Sequence, residues 1–161
     1  MNREHQSFPK LIYLADDDED DRSLFAEALQ EIDKSVKLIE AEDGEKLFLK
    51  LCAPQSPLPD VIILDINMPK LNGFECLEKI RSHESDLKYI SIIMFSTSDN
   101  PVTIGKAKKL GATYYAVKPT SYQGMKSLIS DILKVDCLSP RNNNKFRIGN
   151  RRNAITRSNF K

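Results

Sequence analysis

Three short apolar runs in this chain end in ionisable residues, and the residue types fit one chemistry. Val61-Ile62-Ile63-Leu64 leads into Asp65, with Ile66-Asn67-Met68-Pro69 behind it. Leu11-Ile12-Tyr13-Leu14-Ala15 leads into Asp16-Asp17-Asp18, and Tyr114-Tyr115-Ala116-Val117 leads into Lys118-Pro119. A carboxylate at the end of a buried strand is held rigidly at the rim of a sheet and stays open to solvent. That placement suits a nucleophile or a metal ligand better than a merely solubilising charge. Clustered carboxylates are costly to ionise together, and a cation relieves the cost. Several carboxylates and one lysine at strand ends therefore point to a metal-dependent site for a phosphoryl group.

These side chains meet only if the strands lie side by side with their carboxyl ends on one edge. The pattern of the chain predicts that. Strands are expected at 10–15, 36–40, 60–65, 90–95 and 114–117, short and mostly apolar, as in a sheet covered on both faces. Amphipathic segments lie between them. Leu24, Phe25, Ala28, Leu29 and Ile32 follow the 3.6-residue period, with Glu19, Asp20 and Asp21 in the opening turn, where acids suit the helix dipole. A second helix is expected over 43–52, started by Asp43, with Leu47, Phe48 and Leu51 inward. A third begins at Asn72-Gly73 and buries Phe74, Leu77 and Ile80. A fourth begins at Asn100-Pro101 and stops at Gly111, and a fifth begins at Ser121. Five βα units imply a parallel, doubly wound α/β sheet, whose ligand site lies outside the carboxyl ends of the strands. Asp16, Asp17, Asp65, Ser96 and Lys118 all fall just past expected strand ends and should converge on one rim.

Composition narrows the setting. At 161 residues, 40% hydrophobic and 29% charged, the chain has room for one ordinary core and a short appendage. No apolar stretch approaches the ~20 residues of a membrane span. The N-terminus lacks the apolar core of a signal peptide, so a cytoplasmic location is expected. Cys52, Cys76 and Cys137 are widely spaced and suit reduced thiols rather than a disulfide framework or a zinc site. All 23 acids precede position 139, whereas seven of the 24 basic residues follow it. Residues 1–138 thus carry −6, with 17 basic residues against 23 acids, and residues 139–161 carry +7. A domain over 8–138 is expected, followed by a basic, asparagine-rich tail over 139–161 that is disordered or dependent on a partner.

The combination of motifs resembles a response regulator receiver domain, the phosphoacceptor half of two-component signalling, in its single-domain, chemotaxis-regulator-like form. It rests on the acidic pair Asp16-Asp17, the run Asp65-Ile66-Asn67-Met68-Pro69, Ser96-Thr97 and Lys118-Pro119, and it covers about residues 8–136. The resemblance implies a flavodoxin-like, five-stranded parallel sheet of order 2-1-3-4-5 with five flanking helices. It implies that Asp65 is phosphorylated by a histidine kinase or histidine phosphotransfer protein in a phosphorelay. It implies Mg²⁺, with Mn²⁺ as the alternative, held by Asp17, Asp65 and the Asn67 backbone carbonyl, and by Asp16 through a water. Oxygen ligands and retained waters are what a small hard cation prefers. Lys118 would contact the phosphoryl group, aimed by a cis peptide bond before Pro119. Ser96 would donate its hydroxyl to a phosphoryl oxygen, with Thr97 competing for that role. Tyr115 would be the switch aromatic, with Tyr114 competing, because alternation puts the two on opposite faces. The output would be a changed surface on the fourth helix, fifth strand and fifth helix, which is also a candidate dimer face. Phosphate lifetime would depend on Asn67 and Ser98.

Other readings compete. A doubly wound, Mg²⁺-dependent phosphatase also uses a nucleophilic aspartate, but it needs a second acid two residues downstream, where this chain has Asn67. The basic tail allows weak, salt-sensitive association with nucleic acid or an acidic partner, yet it holds only Phe146 and Phe160 as aromatics and no recognition motif. Asp18, Glu19, Asp20 and Asp21 read as a solvated acidic helix start, and His5 and His83 as surface residues. The expectation is a signalling protein, not a turnover enzyme, promoting only its own phosphotransfer and dephosphorylation, without nucleic-acid or membrane partners.

Overall fold

Each helix of the computed structural model starts where a short polar side chain can satisfy its free N–H groups. The structure describes residues 8–135 and 146–149. Asp18 caps α1 (Glu19–Ile32) by accepting from the Asp20 and Asp21 amides, and Asp43 caps α2 (Gly44–Cys52) through Lys46 N–H. Asn72 and Glu75 form a reciprocal capping box on α3 (Gly73–Arg81). Asn100 caps α4 (Pro101–Lys109) ahead of Pro101, and Ser121 caps α5 (Tyr122–Leu133). Gly111, at φ +100°, lets the chain turn out of α4 toward the next strand.

The strands are β1 (Leu11–Ala15), β2 (Lys37–Ala41), β3 (Val61–Asp65), β4 (Ser91–Ser96), β5 (Tyr114–Val117) and β6 (Arg147–Ile148). They form one sheet of order β2-β1-β3-β4-β5-β6, parallel throughout. The order of the first five is as expected, but the sheet has six strands, not five. The sixth comes from the tail segment expected to be disordered or dependent on a partner: Tyr115 N–H donates to Phe146 O at 2.9 Å, and Arg147 and Ile148 pair with Tyr115 and Ala116. The remainder of 139–161 lies outside the described residues, as does His5. A single 3₁₀ turn over Asp86–Tyr89, before β4, was not expected either.

Alternation along the central strands builds two cores. Tyr13, Ile62, Leu64, Ile92, Met94 and Tyr115 pack against α2, α3 and α4. Ile12, Leu14, Ile63, Ile93, Phe95 and Ala116 pack against α1 and α5. Every residue of β3 and β4 is buried, and each such Val, Leu, Ile or Phe side chain contributes about 1.5–3 kcal/mol. Arg81, at the end of α3, donates to the carbonyls of Gly111, Lys88 and Ile90 and to Thr113 Oγ1. It thereby ties the α3–β4 connection to the α4–β5 loop at the amino edge of the sheet, and burial lowers the pKa of its guanidinium. This frame leaves the carboxyl rim free for chemistry.

Candidate functional site

Four strand ends deliver the site. Asp16 leaves β1 with its N–H bonded to Ala41 O, and Arg22 Nη1 donates to its carbonyl at 2.8 Å. Asp65 is the last residue of β3, and Ser96 the last of β4. Lys118 follows β5 directly, and its N–H donates to Ser96 O at 2.7 Å. The pairing of Asp65 with Phe95 and of Ser96 with Val117 puts these ends in step.

Carboxylate oxygens of Asp16, Asp17 and Asp65 lie within 4.8 Å of one another. Asp16 and Asp65 are buried at 1% and 3% exposure, whereas Asp17 faces solvent. Asp16 Oδ1 accepts from Asp18 N–H at 2.9 Å, and Asp65 Oδ1 from Asn67 N–H at 3.2 Å. The Lys118 ammonium donates to Asp16 Oδ2 at 2.9 Å, Asp21 Oδ2 at 3.0 Å and Asp65 Oδ2 at 3.2 Å. Burial and the neighbouring Asp16 charge push the Asp65 carboxyl up to about 7, and the pull of Lys118 only partly offsets them. Burial alone would lower Lys118, but its bonds and charges with Asp16, Asp21 and Asp65 together hold it above the usual lysine range. Lys118 is shared among three acids, so each receives only part of its charge. The pocket is thus under-neutralised, and three carboxylates with no nitrogen or sulfur donor suit a hard divalent cation.

Next to the acids, Ser96 is buried and Thr97 exposed. Ser96 Oγ accepts from Ser98 N–H at 3.1 Å, and the Ser98 carbonyl accepts from the Tyr115 hydroxyl at 2.7 Å. Burial raises Tyr115, while a hydrogen bond with Ser96 acts in the other direction. Tyr114 points into the opposite core, and its hydroxyl has no hydrogen-bond partner among the described residues. His83 is half-buried just past the end of α3, beside Ser85 and with its ring edge against Phe48. The peptide bond before Pro119 is trans rather than cis, since no cis bond occurs among the described residues. Lys118 reaches the acids through the β4–β5 register itself.

The sequence reading missed Asp21, which it placed in a solvated helix start. Capping by Asp18 sets Asp21 in the first turn of α1, where its side chain turns back to the rim.

Residues 12–130 match the sequence profile of the response regulator receiver domain. The chain belongs to that family. It is 36% identical over 96 residues to the chemotaxis protein CheY1 of Helicobacter pylori, covering 60% of this chain and 75% of that one. It is 30% identical to the response regulator Rcp1 of Synechocystis sp. over 77% of this chain and 86% of the relative. The Mn(2+)-bound form of response regulator Rcp1 superposes with a TM-score of 0.68 at 29% identity, over 79% of this chain and 96% of that structure. The phosphorylated cyanobacterial phytochrome response regulator RcpA does so at 0.69 and 30%, over 77% and 93%. Receiver domains are signalling proteins of two-component systems, which implies a histidine kinase partner. No helix among the described residues is long and apolar enough to cross a membrane.

Proposed function

We propose that Asp65 accepts a phosphoryl group from a histidine kinase or histidine phosphotransfer protein, and that the protein signals through a changed α4–β5–α5 surface. The observation that carries this reading is the Lys118 ammonium, which bridges Asp16 and Asp65 at the end of the central strand. A carboxylate held in that position can attack phosphorus in line. The new bond joins an Asp65 oxygen to phosphorus, the phosphorus–nitrogen bond of the donor breaks, and the electron pair leaves with the imidazole. Mg²⁺, or Mn²⁺ in its place, would be held by Asp17, Asp65, the Asn67 carbonyl and, through water, Asp16, and would offset charge on both reactants. The donor set fits such an ion, and a relative of the same fold is described in an Mn(2+)-bound form.

In this reading Lys118 contacts the phosphoryl oxygens, and Ser96 swings its hydroxyl toward them in preference to Thr97. Ser96 is chained through Ser98 to Tyr115, so movement at the rim reaches β5. Asn67 stands where a phosphatase would need its acid, which favours a stored signal over turnover. We place the protein in the cytoplasm, acting on a protein target, with the α4–β5–α5 face as the candidate contact. Incubation with acetyl phosphate and Mg²⁺ should add one hydroxylamine-labile phosphoryl group, lost in Asp65→Asn. Equal labelling of wild type and variant would refute the reading.

A further inference from the structure

The α4–β5–α5 face is already occupied by the chain itself. Residues 146–149 run along the free edge of β5: Tyr115 N–H donates to Phe146 O at 2.9 Å, and Arg147 and Ile148 continue the ladder. Phe146 packs on the core beside α4, with Lys108 Nζ 5.9 Å from its ring. Ile148 packs on the opposite core, and Gly149, at φ +76°, passes close to Leu128 of α5.

This cover is lightly attached. Its ladder spans two residues, and all four residues remain half-exposed. Short, exposed segments of this kind open at low free energy. The cover is also wired to the rim. Ser98 N–H donates to Ser96 Oγ, the Tyr115 hydroxyl donates to Ser98 O, and the Tyr115 amide holds the cover through Phe146 O. One residue therefore touches both the loop that Ser96 controls and the strand that closes the face.

We propose that residues 146–149 are a detachable cover on the β5 edge, released when Asp65 is phosphorylated, and that the downstream partner docks there as an extended strand. The cover is the template for that partner: a segment parallel to β5 that gives a carbonyl to Tyr115 N–H and an apolar side chain to the α5 side. An unpaired strand edge is what such a segment recognises. The inference rests on the phosphoacceptor reading above.

Amide hydrogen exchange at Tyr115 in the full chain tests it, with beryllium fluoride and Mg²⁺ as the phosphoryl probe. Loading should speed exchange at Tyr115 at least tenfold and leave Ile62 and Ile63 protected. Ile148→Pro, which removes an N–H from the cover strand, should show the fast exchange without the probe. A synthetic Asn-Lys-Phe-Arg-Ile-Gly-Asn peptide, the sequence of residues 144–150, should then bind the variant and restore protection, whereas a scrambled peptide should not. If acetyl phosphate labels Asp65 but loading leaves Tyr115 protected, the release fails alone. If Asp65 takes no label, it falls together with the functional reading. Failure of the peptide to bind the variant would overturn the docking site. Protection that rises with protein concentration would assign the strand to a second copy and overturn the intramolecular cover.

Discussion

Replacing Asp65 with asparagine should stabilise the metal-free protein, and only above mildly acid pH. The Asp65 carboxyl rises from 3.8 to about 7 in the fold. The folded chain therefore keeps a proton there that the unfolded chain releases at about 3.8. Between these values the folded state binds more protons, so stability from this group is full below 3.8 and is lost as pH rises to about 7. At about 1.36 kcal/mol per unit, the ceiling on that loss is about 4 kcal/mol. Water entry and relaxation around a rim carboxylate reduce it, and about 1–3 kcal/mol is the expected gain for Asp65→Asn at pH 8. The amide oxygen of the introduced asparagine can still accept from Lys118, so the bridge to Asp16 and Asp21 persists.

The assay is urea unfolding of both proteins in EDTA from pH 4 to pH 8, followed by far-UV circular dichroism. The two curves should coincide near pH 4 and separate steadily as pH rises. Titrating groups remote from Asp65 are shared by the two proteins and cancel in the difference. Millimolar Mg²⁺ should close the gap by stabilising the wild type, because a cation favours the ionised carboxyl. A difference that does not change between pH 4 and pH 8 would refute the argument, since it would mean that Asp65 ionises in the fold as freely as in the unfolded chain.

Asp21→Ala should free one of the three Lys118 donors, tightening beryllium fluoride binding up to about fivefold, the range of a partly exposed ion pair, as read by ¹⁹F NMR. Unchanged or weaker binding would show that Asp21 does not compete for the lysine. Gly73→Ala places a Cβ against the Asp65 carbonyl oxygen and Ile66 Cα, and it should cost about 1–3 kcal/mol in thermal unfolding while slowing acetyl phosphate labelling. Arg81→Ala leaves the Gly111, Lys88 and Ile90 carbonyls without this donor and should cost about 2–4 kcal/mol in urea. Because Arg81 works at the amino edge, Mg²⁺ affinity should stay within about twofold of wild type, measured by titration.

The first five strands were legible because β3 and β4 are buried on both faces, so runs such as Val61-Ile62-Ile63-Leu64 carry no polar interruption. The helices were legible because each cap is a local event: Asp43, Asn72, Asn100 and Ser121 lie next to the amides they satisfy. β1 and β3 begin one residue later than expected, and both ends of β2 and β4 slip by one, because the ladder and not the side-chain pattern decides where a strand starts and stops. That slip brings Ser96 into the strand and buries it, while Thr97 faces solvent. The sixth strand had no comparable signal. Arg147 and Ile148 are too few to form a pattern, and they sit in a basic, asparagine-rich stretch that reads as solvated. Only the free edge of β5 makes that segment a strand, and the edge exists only once the rest of the sheet is built.

Lys118 shows why the acids were legible as a set and their partners were not. Asp16, Asp17 and Asp65 declare themselves singly, each at the end of an apolar run. A lysine has three N–H donors, and which acids take them depends on where three separate strands stop. Here β4 and β5 end in step, with Lys118 N–H on Ser96 O, so the side chain is aimed at the rim without a cis bond. The first turn of α1 then swings Asp21 into the third donor position. On the proposed reading, a phosphoryl group arriving at Asp65 would meet a lysine whose three donors are taken, so one carboxylate would have to yield. Asp16 and Asp65 are buried and have strand ends to hold them, whereas Asp21 is 40% exposed on a helix and can turn to water. On the proposed reading, the residue that looked like part of a solvated acidic run is therefore the one whose departure would make room for the phosphoryl group.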